Sequence, residues 1–173
     1  VSLAAGIGLA EIEGIFSGAV TRAVPTITSA AGQGTTLICH GGRVGKQDAL
    51  RVEGLFASIG NVMPVREEEL PAATILSSCG PGLIAAIIEE LAGATARAGG
   101  LAPDRALALA VETAAATTTY LRETGETPGD LVGRVATTGG VTEAGARVLR
   151  EQLPGAFDEM VAAMLERYGA VGK

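Results

Sequence analysis

The chain has 173 residues, of which 47% are hydrophobic, 18% are charged and only 3% are aromatic. This length suits one ordinary domain, or the end of one domain followed by a small second one. The net charge of −6 argues against a nucleic-acid partner, because binding to phosphates needs a basic surface. The longest apolar stretches, such as residues 83–88, are far shorter than the roughly 20 residues that span a bilayer. We therefore expect a soluble protein that does not bind a membrane.

The sequence contains two cysteines, Cys39 and Cys79, and one histidine, His40. These residues are too few and too scattered for a zinc site, so we expect no metal. The absence of a CxxC pair fits a reduced, cytoplasmic setting. His40 has no assignable acid or nucleophile partner, so a structural role is favoured over catalysis. Cys79 lacks a histidine to activate it, and a packing role at a helix start is favoured.

From the start of the chain to about residue 66, short apolar runs alternate with helical patterns. The patterns predict strands over residues 1–5, 21–27, 35–40 and 61–65, and helices over residues 9–16 and 45–59. Strands that alternate with helices are typical of an α/β sheet. We interpret residues 1–67 as the C-terminal part of a Rossmann-like α/β domain.

After residue 69 only helical patterns remain. Leucines and isoleucines between Leu83 and Leu91 recur at helical spacing and form one apolar face. Glycines and prolines then delimit four further helices, over residues 103–124, 127–135, 142–153 and 157–168. The third of these is expected to have Thr142 as its N-cap. Residues 68–173 are therefore predicted to form an all-helical domain.

These helices are rich in alanine and threonine and contain few aromatic residues. Small side chains allow close helix contacts but bury little area per residue. Helical domains below roughly 100 residues are often stabilised by association. We expect a homodimer, or a higher homo-oligomer, formed through the helical domain.

A search for a nucleotide-binding loop finds no complete fingerprint. Gly6-Ile7-Gly8 begins like GxGxxG, but Glu11 occupies the third glycine position, where a carboxylate would repel a pyrophosphate. Gly32-Gln33-Gly34 lacks the third glycine as well. Both pairs of glycines are interpreted as turns.

The segment TTGGVT, residues 137–142, has two glycines between hydroxyl-bearing residues, directly before a helix. Glycines permit a backbone path that directs N–H groups outward, and a helix start adds free donors and positive potential. This chemistry suits a small carboxylate. A plain turn between two helices, with Thr142 as the cap, explains the residues equally well.

Four segments together resemble the pyrroline-5-carboxylate reductase family over nearly the whole chain. TTGGVT at residues 137–142 resembles the family's SPGGTT, and SSCGPG at residues 77–82 resembles its SGSGPA. RAVPTIT at residues 22–28 resembles RxMPNTP, which lies beside the nicotinamide. VSLAAGI at residues 1–7 is similar to the last Rossmann strand before that motif. The order and spacing of the four segments also agree with the family.

The resemblance implies NAD(P)H-dependent reduction of a cyclic imino acid to proline, with NADP or NAD as the cofactor. It implies that Thr137, Gly139, Gly140 and Thr142 hold the substrate carboxylate. Thr142, expected near the imine nitrogen, is the candidate catalytic residue. Pro25 and Thr26 are the candidate cofactor-binding residues. Because the family's dinucleotide-binding start is absent from the sequence, we expect the chain alone not to catalyse reduction.

The segments also depart from the family pattern. Thr138 replaces the proline of SPGGTT, residues 26–28 replace Asn-Thr-Pro, and Cys79 replaces a serine. Two alternatives follow from these departures. The chain could be a non-catalytic dimerisation or interaction module of the same fold, or part of a related reductase with a different substrate.

Overall fold

The computed structural model describes residues 1–170 and divides into two compact units. The first unit comprises residues 1–83 together with residues 160–170, and the second comprises Ile84–Glu159. Strands and helices alternate first, and helices follow. The α-helices and β-strands, in chain order, are α1 Leu9–Ile15, β1 Thr21–Val24, β2 Gly34–His40, α2 Lys46–Ala57, β3 Gly60–Pro64, α3 Leu70–Thr74, α4 Gly80–Gly99, α5 Pro103–Thr124, α6 Pro128–Val135 and α7 Val141–Ala170.

The sheet of the first unit has the strand order β1-β2-β3. Strand β2 pairs antiparallel with β1, where Arg22 faces Cys39, and parallel with β3, where Leu37 faces Met63. The side chains of Leu37 and Ile38 are fully buried in this central strand. Leu37 and Cys39 pack with Leu9, Val20 and Leu70 in one hydrophobic cluster, as expected when helices cover a sheet face.

The predicted buried strand at residues 1–5 was wrong. Only Ser2 forms a parallel bridge, to Arg22, while Val1 and Leu3 are 64% and 61% exposed. A strand is buried only where sheet neighbours and covering elements enclose it, and a local apolar run does not specify these. Strand β1 also ends earlier than predicted, at Val24. Pro25 follows it, and its missing N–H cannot extend the sheet.

Glycines end the helices of the second unit as the sequence predicted. Gly100 and Gly125 follow α4 and α5 and have φ values of 68° and 69°, the left-handed conformation that commonly terminates a helix. Thr127 caps α6, because its hydroxyl accepts the N–H of Asp130. The predicted helices over residues 103–124 and 127–135 are therefore confirmed.

The predicted pair of helices after residue 142 is instead the single helix α7, with Pro154 in its interior. A proline removes only one helical hydrogen bond and strains one turn, at a cost of about 3 kcal/mol. The strong helix-forming residues on both sides can offset that cost. The N-cap prediction was also wrong: Thr142 lies inside α7, and the N–H of Ala144 donates to the carbonyl of Gly140. Residues 171–173 of the predicted helical domain lie outside the described residues.

A continuous helical run covers Glu67–Gly99, since a 3₁₀ turn, α3 and a π-helical turn at Ile75–Cys79 lead directly into α4. By length and composition alone this run could cross a membrane, and only 11% of its most apolar window is buried. The expectation that no apolar segment is long enough was therefore wrong. The apolar stretches are short in the sequence, but small residues and a π-helical turn continue the helix between them. The stretches are thereby joined into one long apolar helix.

Candidate functional site

The segment between α6 and α7 forms a compact turn within the second unit. The N–H of Gly140 donates to the carbonyl of Thr137 over 2.8 Å and closes a four-residue turn. Gly139, the third residue of that turn, has a φ of 73°, which a type II turn requires of glycine at this position. We call residues 137–142 the glycine loop. Its hydroxyl-bearing and glycine residues lie in one tight turn at the start of α7.

Gly140 is required for a steric reason. A Cβ atom at this residue would lie 2.5 Å from Oγ1 and 2.8 Å from the carbonyl oxygen of Thr137. Such distances are far shorter than an ordinary van der Waals contact. Both Thr137 atoms belong to the turn, so the turn itself would have to change to make room. The two glycines thus have different roles: Gly139 provides the backbone conformation and Gly140 provides the space.

Two of the backbone N–H groups of the glycine loop donate to acceptors within the chain. The N–H of Gly139 donates to Oε2 of Glu143 over 2.6 Å, and that of Gly140 donates to Thr137. The N–H groups of Val141 and Thr142, in the first turn of α7, have no intrahelical acceptor because of helix geometry. Those two donors, rather than the glycine N–H groups, are available to an anion in this conformation.

Thr137 and Thr142 both have exposed side chains. Thr142 lies in the first helical turn, one residue after Val141, which is 92% exposed. Its hydroxyl is therefore accessible rather than packed against apolar side chains. The glycine loop offers an accessible hydroxyl, two helix-start N–H groups and a positive helix end on one surface.

The candidate cofactor residues belong to the first unit. Pro25 is half-buried directly after β1, and Thr26 is 5% exposed. The hydroxyl of Thr26 accepts the N–H of Thr35 over 3.1 Å and forms a 2.7 Å hydrogen bond with the hydroxyl of Thr28. Thr26 thus fixes the chain between β1 and β2. The surface available to a ligand here comes from Pro25 and from Ile27, which is 80% exposed.

Sequence reasoning missed a polar cluster beside the first strand. Nη1 of Arg22 lies 3.0 Å from Oε1 of Glu67, and the same oxygen accepts the N–H of Leu9 over 2.5 Å. The Arg22 side chain is only 8% exposed. An arginine within the predicted strand at residues 21–27 was the one available signal, since a buried guanidinium needs a partner.

Two cavities of the first unit adjoin this cluster. One of about 400 Å³ is lined by Gly8, Glu11 and Arg22. The other, of about 210 Å³, is lined by residues 3–6, Arg22 and Thr74. Oγ1 of Thr74 is buried and has no hydrogen-bond partner within residues 1–170. The nearby Ser77 hydroxyl, in contrast, donates to the carbonyl of Ala73.

His40 has two polar partners, which the sequence did not single out, and the two cysteines are buried or half-buried. Nδ1 of His40 lies 2.8 Å from the Thr21 hydroxyl, and Nε2 lies 3.1 Å from Oε1 of Glu53. Cys39 is buried in the core and Cys79 is half-buried before α4. Within the part of the chain that the structure describes, no three His, Cys, Asp or Glu side chains are grouped so as to hold a metal ion.

The chain thus has a small α/β sheet region followed by helices that expose apolar side chains. This combination is typical of proteins in which a helical domain mediates association. The sequence model described as pyrroline-5-carboxylate reductase dimerisation matches residues 67–171. Pyrroline-5-carboxylate reductase 3 of Bacillus subtilis is 33% identical over 168 residues, 97% of this chain and 62% of that protein. The enzyme of Synechocystis is 33% identical over 177 residues, 100% of this chain and 65% of that protein. The chain belongs to the pyrroline-5-carboxylate reductase family.

Solved structures agree with this assignment. A pyrroline-5-carboxylate reductase from Coxiella burnetii matches with a TM-score of 0.92 and 27% identity, over 99% of this chain and 65% of that one. The pyrroline carboxylate reductase of Plasmodium falciparum, with NADP bound, shares the fold with a TM-score of 0.86. It is 22% identical, over 98% of this chain and 68% of that one. The predicted fold class, part of a Rossmann-type sheet followed by a helical dimerisation domain, is confirmed. The chain spans less than two thirds of the length of the two curated relatives above.

Proposed function

We propose that this chain is the substrate-binding and dimerising part of an NAD(P)H-dependent reductase that converts a cyclic imino acid to proline. The observation that carries the proposal is the glycine loop, with its exposed Thr142 at a helix start, in a chain of this family. We also propose a division into residues 1–67, part of the Rossmann-like domain, and residues 68–173, the helical domain.

The glycine loop would hold the substrate through its carboxylate. The N–H groups of Val141 and Thr142 point outward from the helix start, where the helix dipole favours a negative charge. The hydroxyl of Thr137 is a further donor, while Gly139 and Gly140 maintain the path of the turn. The hydroxyl of Thr142 would accept a hydrogen bond from the protonated imine nitrogen and orient the ring, so catalysis depends mainly on positioning.

The first unit would hold the nicotinamide end of NADP or NAD, which supplies the hydride when bound. Ser2 pairs parallel with Arg22, so residues 3–6 and the end of β1 run in the same direction, and ligands of α/β sheets bind beyond such carboxyl ends. The cavity of about 210 Å³ there suits a single ring rather than a larger ligand. Pro25 and Thr26 would border this ring.

The apolar surface of α4 and α5 would be covered by a second copy of the chain. Ile84, Ile87 and Leu91 are 54%, 50% and 61% exposed, and they line a groove of about 570 Å³ that also includes Leu109 of α5. We propose a homodimer or a higher homo-oligomer, which would also account for the exposed helical run without a membrane. The protein would then be soluble and cytoplasmic and would bind no nucleic acid.

One observation favours the alternative of a non-catalytic interaction module. Both glycine N–H groups of the loop have acceptors within the chain. An assay separates the two functions: the full-length gene product is mixed with pyrroline-5-carboxylate and NADPH or NADH, and cofactor oxidation is followed. We expect Thr142→Val to reduce the rate at least tenfold, because it removes an oriented hydrogen bond. Thr138→Val, in the same turn, is the control that keeps the rate. A wild-type protein that oxidises neither cofactor would support the interaction module.

A further inference from the structure

The glycine loop contains a carboxylate of its own. Glu143 is the third residue of α7, and its Oε2 lies 2.6 Å from the backbone nitrogen of Gly139. A hydrogen bond from a backbone N–H to an ionised carboxylate is stronger than one between neutral groups. The bond therefore places a full negative charge against the loop that is proposed to receive the substrate carboxylate.

This charge is not neutralised by a side chain. Within residues 1–170, no lysine, arginine or histidine forms an ion pair with Glu143, whereas Arg147 in the next turn pairs with Glu151. Glu143 is exposed, and its favourable interactions are the Gly139 N–H and the positive end of α7. The positive end of α7 is also the feature that a bound substrate carboxylate would use.

We propose that Glu143 is a specificity-determining residue that sets the affinity of the glycine loop for a carboxylate. The inference rests on the proposed function of that loop. A substrate carboxylate must either displace Glu143 from Gly139 or bind beside it. Displacement requires an existing hydrogen bond to be broken, and binding beside it brings two like charges close together. Both routes weaken the binding of substrate and of the product, which carries the same carboxylate, and faster product release follows.

A purely structural role for Glu143 leads to the opposite expectation. A glutamate in the first turn commonly accepts an N–H from the residues before the helix and stabilises the helix start. If Glu143 only shaped the loop, its removal would loosen the turn and weaken carboxylate binding. The sign of the change in affinity therefore distinguishes the two roles.

The test measures binding by the full-length gene product of two ligands that share a ring and differ in the charge of the group attached to it. Tetrahydrofuran-2-carboxylate carries the ring and the carboxylate, and tetrahydrofuran-2-carboxamide carries the ring without the charge. Dissociation constants are measured by calorimetry for the wild type, Glu143→Ala and Glu143→Gln. Glu159→Ala removes the same charge from an exposed residue farther along the same helix and is the matched control.

We expect Glu143→Ala to tighten carboxylate binding about tenfold, as removal of one nearby like charge allows. Glu143→Gln should give a smaller gain, because the amide oxygen still accepts the Gly139 N–H, and it also serves if the alanine variant folds poorly. Carboxamide binding should not tighten, and the Glu159→Ala variant should show no change. Weaker or unchanged carboxylate binding in both Glu143 variants would overturn the role of Glu143 alone. Thr142→Val tests the loop itself: wild-type binding that this variant does not weaken, or no binding at all, would overturn the proposed function as well.

Discussion

Arg22 and Glu67 are 45 residues apart in the sequence, yet Nη1 of the arginine lies 3.0 Å from Oε1 of the glutamate. That oxygen also accepts the N–H of Leu9 at the start of α1. One carboxylate therefore joins the first strand of the sheet, the first helix and the turn that precedes α3. These are also the segments that border the two cavities of the first unit.

Replacement of Glu67 by alanine should destabilise the protein. It leaves a nearly buried guanidinium without its ion-pair partner and a helix-start N–H without an acceptor, which together cost about 2–4 kcal/mol. Urea unfolding of the full-length gene product measures the loss. Glu68→Ala is the control. Glu68 forms an ion pair with Arg66 in which both side chains are 70% exposed, and such a surface pair contributes little to stability. Equal losses for the two variants would contradict the structural role of the Arg22–Glu67 pair.

Cys39 should make stability depend on pH in the alkaline range. Burial raises the pKa of its thiol, and the Glu67 carboxylate raises it further, while Arg22 partly opposes this. At a pH below 9.0, the ordinary pKa of a cysteine thiol, the folded and unfolded chains both keep the proton. Above it, the unfolded chain releases the proton first, so the free energy of unfolding falls as the pH rises.

The variant Cys39→Val keeps an apolar side chain in the core and has no titrating group. Urea unfolding of wild type and variant is compared on the two sides of pH 9.0. The stability difference between them should shift in favour of the variant above this pH. A difference that stays constant would show that the thiol titrates alike in both states.

Gly140→Ala should disturb the glycine loop because its Cβ would lie 2.5 Å from Oγ1 of Thr137. We expect a stability loss of about 1–3 kcal/mol, typical of an added atom without space, and weaker binding of tetrahydrofuran-2-carboxylate. Gly145→Ala is the control, since no atom outside the adjacent backbone of its own helix lies within 4 Å of the added Cβ. It should stabilise α7 by about 0.5–1 kcal/mol. Normal ligand binding by Gly140→Ala would show that the turn is not needed.

Ile87→Arg should disrupt self-association. Ile87 is 50% exposed and lines the apolar groove of α4 and α5, so a charge there would be buried against an apolar partner surface. Sedimentation equilibrium of the full-length gene product measures the mass. The wild type should be a dimer or larger, and the variant should shift towards a single chain. Glu89→Arg introduces the same side chain on the opposite side of α4 and should remain associated; dissociation of both variants would contradict the proposed interface.

Local chemistry explains the elements that could be predicted from the sequence. Gly125 and the Thr127-Pro128 pair specify a helix end and a helix start through backbone geometry that neighbouring residues alone determine. The glycine loop was found in the same way, because two adjacent glycines before a helix indicate a turn. The order of four short motifs indicated the family.

The features that were missed depend on partners that are distant in sequence or on competing local energies. The Arg22–Glu67 pair joins residues that no periodicity connects. Helix α7 continues through Pro154 because one lost hydrogen bond is outweighed by its flanking residues. The bond between Glu143 and Gly139 depends on the conformation of the turn, which the residue types allow but do not specify. The roles of Thr137, Gly139, Gly140, Thr142, Pro25 and Thr26 in binding remain predictions.

The central claim is that the glycine loop binds the carboxylate of a cyclic imino acid, and nuclear magnetic resonance of its backbone amides tests it most directly. The full-length gene product, labelled with nitrogen-15, is titrated with tetrahydrofuran-2-carboxylate and separately with the carboxamide. We predict saturable shifts of the Gly139, Val141 and Thr142 amide signals with the carboxylate and much smaller ones with the carboxamide. Unchanged signals for these three amides at ligand concentrations that saturate the protein would contradict the account.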